Sequence, residues 1–243
     1  MASKTRGGEV AEKNAHPATA SSATSSLLHG EKLKQLHATM VKCRHAQKRF
    51  HGGHAAKGRS SGYEAVVAGT VFDLLPDDYV APSLLGTLAR SISDVAPAHP
   101  SGAPKRNDPA MKNIVNQLAV ATGMALALKE GKARNIAVLL AGELGPASKG
   151  YDELLRFAAG RKLPVIYLLQ TATGSERLRI QAQKCGLPGI IVDGSDAVAV
   201  LRVMQECTRR ARQGHGPSLV AYQLSADPLA LMEAYLRKRR LWP

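Results

Sequence analysis

Short apolar runs alternate with helical patterns through the second half of the chain. Ile136-Ala137-Val138-Leu139-Leu140 is one such run, followed by Val165-Ile166-Tyr167-Leu168-Leu169, Gly189-Ile190-Ile191-Val192 and Ser218-Leu219-Val220-Ala221-Tyr222. A strand covered on both faces needs apolar side chains at nearly every position rather than every second one, so these segments predict buried strands. The spacing around and between them is helical and predicts helices over 113–130, 147–160, 175–185 and 196–213. Strands that alternate with helices of this length imply right-handed crossovers and a parallel sheet with helices on both faces. The predicted fold class is α/β: a doubly wound, mostly parallel sheet in a single domain.

The first half is helical without strand signals. Leu33, Leu36, Met40 and Val41 recur at helical spacing and predict an amphipathic helix over 30–50, closed by His51-Gly52-Gly53-His54. Two histidines flanking a glycine pair lack the further ligands a metal site needs, so this segment reads as a loop. Ala65, Val66, Ala68, Val71, Phe72 and Leu75 predict a helix over 61–75 that ends at the turn Pro76-Asp77-Asp78. A short helix is expected over 83–92, then an exposed loop over 93–112 containing Pro97, Pro100, Pro104 and Pro109. After Leu224 a short helix, 228–236, leads to Arg237-Lys238-Arg239-Arg240, expected to be mobile. Residues 1–27 hold few large apolar side chains and predict disorder. The expected organisation is a basic tail over 1–27, a folded domain over 28–226 and a basic tail over 227–243.

Composition narrows the setting. No apolar run approaches the roughly 18 residues of a spanning helix, and the basic start has no apolar core of a signal peptide, so no membrane association is expected. Cys43, Cys185 and Cys207 are widely spaced and form no metal motif. Reduced thiols in a cytoplasmic protein are the simplest account of them. The net charge of +14 is uneven: residues 1–60 carry +8, residues 61–200 only +1, and residues 201–243 carry +5. A nearly neutral body with basic ends admits nucleic acid or an acidic partner, or a merely solvated tail.

In an open parallel sheet, ligands bind beyond the carboxyl ends of the strands. Two strand ends draw attention here: Ala141-Gly142-Glu143-Leu144-Gly145 and Gln170-Thr171-Ala172-Thr173-Gly174. Both turn into helices, where free amides and the helix dipole hold phosphate. Glu143 would repel a bare phosphate but could hold Mg²⁺ that bridges to a diphosphate. The same glutamate could equally favour the helix start while Gly142 and Gly145 make the turn. Spacing by itself leaves both readings open.

Several segments, taken in order, resemble a known family. They are Gly62-Tyr63-Glu64-Ala65, Leu75-Pro76-Asp77-Asp78-Tyr79-Val80, Asn113-Ile114-Val115 through Ala121-Thr122-Gly123-Met124-Ala125, Gly142 through Leu163-Pro164-Val165-Ile166, Gly186-Leu187-Pro188-Gly189, Val192-Asp193-Gly194-Ser195-Asp196 and Gly216-Pro217-Ser218-Leu219. Over about 28–224 the chain resembles the alpha subunit of the thiamine-diphosphate-dependent first component of 2-oxo acid dehydrogenase complexes, of the pyruvate and branched-chain type. The resemblance implies a thiamine-diphosphate-binding fold, thiamine diphosphate and Mg²⁺ as cofactors, a beta-subunit partner and an oligomer. It places Val115 against the aminopyrimidine, Gly142, Glu143 and Leu144 at the diphosphate, and the metal on Glu143. It assigns no catalytic residue to this chain, because the family's activating glutamate comes from the beta subunit.

The departures from the family fall on the cofactor motif. Its Gly-Asp-Gly stands here as Gly142-Glu143-Leu144, its Asn-Asn as Thr171-Ala172, and its following Tyr as Gly174. Leu144 puts a side chain where glycine lets phosphate approach the backbone, and Ala172 offers no oxygen to a metal that demands octahedral oxygen ligation. The Arg-Gly-His segment has no counterpart, and His99 stands in unmatched surroundings. Three functions follow as expectations. The first is a divergent alpha-like subunit with weak or lost thiamine diphosphate and Mg²⁺ binding. The second is a working 2-oxo acid oxidoreductase subunit that needs a beta partner, with Glu143 as metal ligand. The third is a non-catalytic binding module using its basic ends.

Overall fold

The computed structural model describes residues 30–50, 62–95, 113–143 and 150–242. In chain order the elements are α1 (Gly30–Phe50), α2 (Glu64–Val71), β1 (Tyr79–Val80), α3 (Leu84–Ile92), α4 (Ile114–Glu130), β2 (Ala137–Glu143), α5 (Tyr151–Gly160), β3 (Val165–Gln170), α6 (Ser175–Lys184), β4 (Gly189–Asp193), α7 (Ala197–Arg212), β5 (Ser218–Gln223) and α8 (Pro228–Lys238). The strands form one sheet in the order β1-β2-β3-β5-β4, with every described pair parallel. This is the doubly wound α/β sheet that the apolar runs predict.

Alternate residues of the central strands serve opposite faces. Val138, Leu140, Ile166, Leu168, Val220 and Tyr222 meet α2, α3 and α7 on one side. Leu139, Val165, Tyr167, Leu169, Leu219 and Ala221 meet α4, α5 and α6 on the other. β3 and β5 are buried up to their last residue, whereas β4, at the sheet edge, is largely half-buried or exposed. Burying each large side chain of the middle strands contributes roughly 1.5–3 kcal/mol, so these strands carry much of the stability.

A third cluster lies outside this sandwich. Leu33, Leu36 and Met40 of α1 meet Ala65 and Ala68 of α2, Leu201 of α7, and Leu229, Met232 and Leu236 of α8. All eight residues of α2 are buried, which is why its sequence is apolar on every side. The charged exception is Glu64, whose carboxylate accepts from the Gly62 amide at 2.9 Å and from Arg44 Nε at 2.8 Å. Arg44 also donates to Asp227 at 2.9 Å and so ties α1 to the starts of α2 and α8.

Three expectations change. The helix expected over 61–75 is shorter, because Leu74 closes a turn onto Val71 and the Leu75 amide donates to Asp78. Tyr79–Val80, beyond that turn, is a strand that periodicity misses because it has only two residues. Its outer edge is covered by Arg90, which donates to the Val80 carbonyl at 2.8 Å. The segment after residue 226 is no free tail: Leu229, Met232 and Leu236 give α8 an apolar stripe buried against α1, and Leu241 and Trp242 fold back onto the same cluster. Residues 1–27, His51-Gly52-Gly53-His54 and most of 93–112 lie outside the described residues. Cys43, Cys185 and Cys207 are buried free thiols, and burial pushes the Cys207 thiol up to about 11. Among the described residues no helix is long and apolar enough to cross a membrane.

Candidate functional site

Because the strands are parallel, their carboxyl ends open on one edge of the sheet, and that edge has two unlike halves. Beyond β4 and β5 the carboxylates and serine hydroxyls are tied down. Asp193 accepts from the Ser195 amide at 2.8 Å and from the Ser225 hydroxyl at 2.9 Å. The buried Ser195 hydroxyl accepts from the amides of Ser225 and Ala226 at 2.8 and 3.1 Å. Asp196 caps α7 through the amides of Val198 and Ala199, and Asp227 caps α8 through Ala230. A side chain on Gly194 would stand 2.8 Å from both Tyr222 and Val66.

The half beyond β2 and β3 is built differently. α5 and α6 both start from a glycine in the left-handed region, Gly150 at φ 97° and Gly174 at φ 83°, and neither start has a side-chain cap. Among the described residues, no side chain caps their first-turn amides, the groups with which a helix start holds an anion. Asp152 and Glu153 stand in the first turn of α5 and Glu176 in that of α6. These carboxylates already complement the helix dipoles, so a bare anion would be repelled and a bridging cation would be needed.

The candidate residues fall in this open half. Gly142 is half-buried where the β2–β3 register shifts, and a Cβ on it would meet nothing closer than Gln170 Oε1 at 3.9 Å. Glu143 is the last residue of β2 and lies opposite Gln170. Its side chain and all of Leu144 lie outside the described residues. Val115 is half-buried in the first turn of α4, where its amide donates to the Asn113 cap at 2.9 Å. Its methyl group lies 3.6 Å from where a Cβ on Gly150 would stand. Val115 and Gly142–Glu143 thus flank the two ends of segment 144–149.

At the end of β3 the polar groups turn inward. The Thr171 amide donates to the Tyr222 carbonyl at 3.0 Å, and its hydroxyl donates to the Thr173 carbonyl. Ala172 is exposed and has no side-chain oxygen. Gln170 Oε1 accepts from the Tyr63 hydroxyl at 2.9 Å, and the Tyr222 hydroxyl donates to the Ala141 carbonyl at 2.7 Å. Burial, with Tyr63 adding to it, holds the Tyr222 phenol far above its usual range, so it stays a neutral donor. Sequence reasoning missed the Tyr63–Gln170 link. Nothing in the sequence pairs Tyr63 with a residue 107 positions away. For a Mg²⁺–diphosphate pair, the described donors supply helix amides without side-chain caps, and Gly142. At Thr171–Ala172 they supply one hydroxyl turned into its own loop and one methyl group, which do not fit an octahedral oxygen cage.

The profile of the dehydrogenase E1 component family matches residues 103–224. A pyruvate dehydrogenase E1 component subunit alpha of Staphylococcus aureus is 35% identical over 115 residues, covering 43% of this chain and 31% of that protein. The protein of the same description from Acholeplasma laidlawii is 34% identical over 118 residues, 44% of this chain and 34% of its own length. This chain spans less than half the length of these relatives. Among solved structures, transketolase of Campylobacter jejuni superposes with a TM-score of 0.54 at 12% identity, over 87% of this chain and 43% of that one, a likeness of fold.

Proposed function

The chain belongs to the dehydrogenase E1 component family, and from that membership we propose that it is a divergent alpha-like subunit whose hold on thiamine diphosphate and Mg²⁺ is weakened or lost. The observation that carries this reading is the end of β3, where Thr171 and Ala172 stand in place of two asparagine oxygens and the Thr171 hydroxyl serves its own turn. Mg²⁺ gives up its hydration water reluctantly and only for well-placed oxygens. The loss of such a ligand, together with leucine in place of glycine at position 144, weakens both the metal cage and the close backbone approach. What persists is the framework: uncapped starts at α5 and α6, Gly142, and Val115 beside Gly150.

The same reading gives the chain a beta-like partner and a cytoplasmic setting, because the family's chemistry is completed by a second subunit. Co-expression with a beta-type subunit tests it. The expected result is a complex on size-exclusion chromatography that retains no thiamine diphosphate and leaves 2-oxo acids untouched. A complex that decarboxylates a 2-oxo acid would favour the competing reading of a working enzyme, which Glu143, placed by β2 at the open edge, supports. In that case Glu143→Ala must abolish turnover; unchanged turnover removes Glu143 as the metal ligand.

A further inference from the structure

Two basic segments far apart in sequence, the start of α1 and the end of α8, meet in the fold. α1 and α8 run antiparallel: Arg44 reaches Asp227 at 2.9 Å, His37 lies 3.7 Å from Glu233, and Gly30 abuts Leu241. This places Lys32 and Lys34, at the start of α1, beside Arg237, Lys238, Arg239 and Arg240, at the end of α8, all of them exposed. Glu31 and Glu233 pair with Lys34 and Arg237 at 3.4 and 3.3 Å. Lys32, Lys238, Arg239 and Arg240 have no ion-pair partner among the described residues.

Local structure does not explain this charge. A helix end attracts about half a positive charge, and four adjacent cations go well beyond that. Arg240 is also held at φ 57°, a conformation that glycine adopts at least cost, as the last turn reverses so that the Leu241 amide reaches the Leu236 carbonyl. An arginine therefore occupies the position where a residue without charge or side chain would suit the fold best.

We propose that this lobe is a docking surface for the phosphate backbone of double-stranded nucleic acid. Exposed cations on two adjoining helix ends match a row of phosphates. An acidic protein would instead need an apolar or aromatic anchor to supply most of the binding energy. Single strands are disfavoured because the aromatic rings are occupied: Arg239 covers Tyr235 at 5.1 Å, and Trp242 stands edge-on to His37 at 4.5 Å. The lobe lies about 18 Å along α1 from Arg44 and the carboxyl edge, by the rise of a helix, so the proposal stands independently of any cofactor site.

Fluorescence anisotropy of the full chain with a labelled 20-base-pair DNA of mixed sequence, titrated across NaCl concentrations, tests it. The expected result is binding at low salt with a log–log slope of roughly −4 to −5, as for four to six phosphate contacts. K238Q/R239Q/R240G and K32Q/K34Q should each weaken binding at least fivefold and flatten the slope. K129Q/K132Q, at another basic helix end, should stay within twofold of the parent chain, with circular dichroism confirming that all variants fold. The proposal is overturned by an absence of salt-sensitive binding, or by an equal loss in the control variant, which would mean net charge alone. It is also overturned if binding disappears on removing residues 1–29 but is indifferent to the lobe variants, or if a poly-glutamate 20-mer binds as tightly as the duplex, which would favour an acidic protein.

Discussion

The two halves of the carboxyl edge differ in what their polar groups do. Beyond β4 and β5, Asp193, Ser195, Asp196 and Asp227 spend their oxygens on neighbouring amides and hydroxyls, and Gly194 is walled in. Beyond β2 and β3, the helices start on glycines without side-chain caps, and a Cβ on Gly142 would meet nothing among the described residues closer than 3.9 Å. One half ties its polar side chains into the fold, and the other starts its helices on glycines.

The largest expected effect breaks the contrast at its glycines. Gly194→Ala should destabilise the protein by about 2–3 kcal/mol through overpacking, since its Cβ would stand 2.8 Å from Tyr222 and Val66. Gly142→Ala, with nothing among the described residues closer than 3.9 Å, should change the unfolding free energy from urea titration by no more than about 0.5 kcal/mol at an unchanged m-value. Equal losses at the two sites would erase the distinction. Next in size, Ser195→Ala should cost about 1–3 kcal/mol in the same assay, because it strands the amides of Ser225 and Ala226.

A gain of function sharpens the contrast from the other side. Leu144→Gly with Ala172→Asn should raise affinity for thiamine diphosphate with Mg²⁺ at least tenfold, about 1.4 kcal/mol or more, measured by calorimetry. No gain would place the defect elsewhere in the site. The smallest effect is a pH dependence in the half beyond β4 and β5. Partial burial of Asp227 works against its charge, but the Ala230 amide and Arg44 outweigh it and hold its carboxyl below the usual range. A carboxyl depressed in the folded state contributes stability above its unfolded value and loses it as pH falls through the folded one. Stability should therefore decline below about pH 4, and Asp227→Asn should flatten that decline. The Asp227 side chain is 49% exposed, so solvent screening holds this contribution under about 1 kcal/mol.

The parallel sheet was legible because strands buried on both faces write themselves as unbroken apolar runs, and helices of ten or more residues write their period between them. β1 was not legible, since two residues carry no period. α8 was legible as a helix over 228–236, but its docking was not, because the stripe of Leu229, Met232 and Leu236 has its partner about 200 residues earlier in the chain. The location of the candidate site was legible from the strand ends at 141–145 and 170–174, and the roles of its residues only through the resemblance. Its internal ties, Tyr63 to Gln170 and Tyr222 to Ala141, join elements that only the folded sheet brings together.

Isothermal calorimetry of thiamine diphosphate with excess Mg²⁺ against this chain tests the central claim most directly. An altered open half predicts no binding at micromolar concentrations of cofactor. A dissociation constant in the micromolar range or tighter for the chain alone would contradict it.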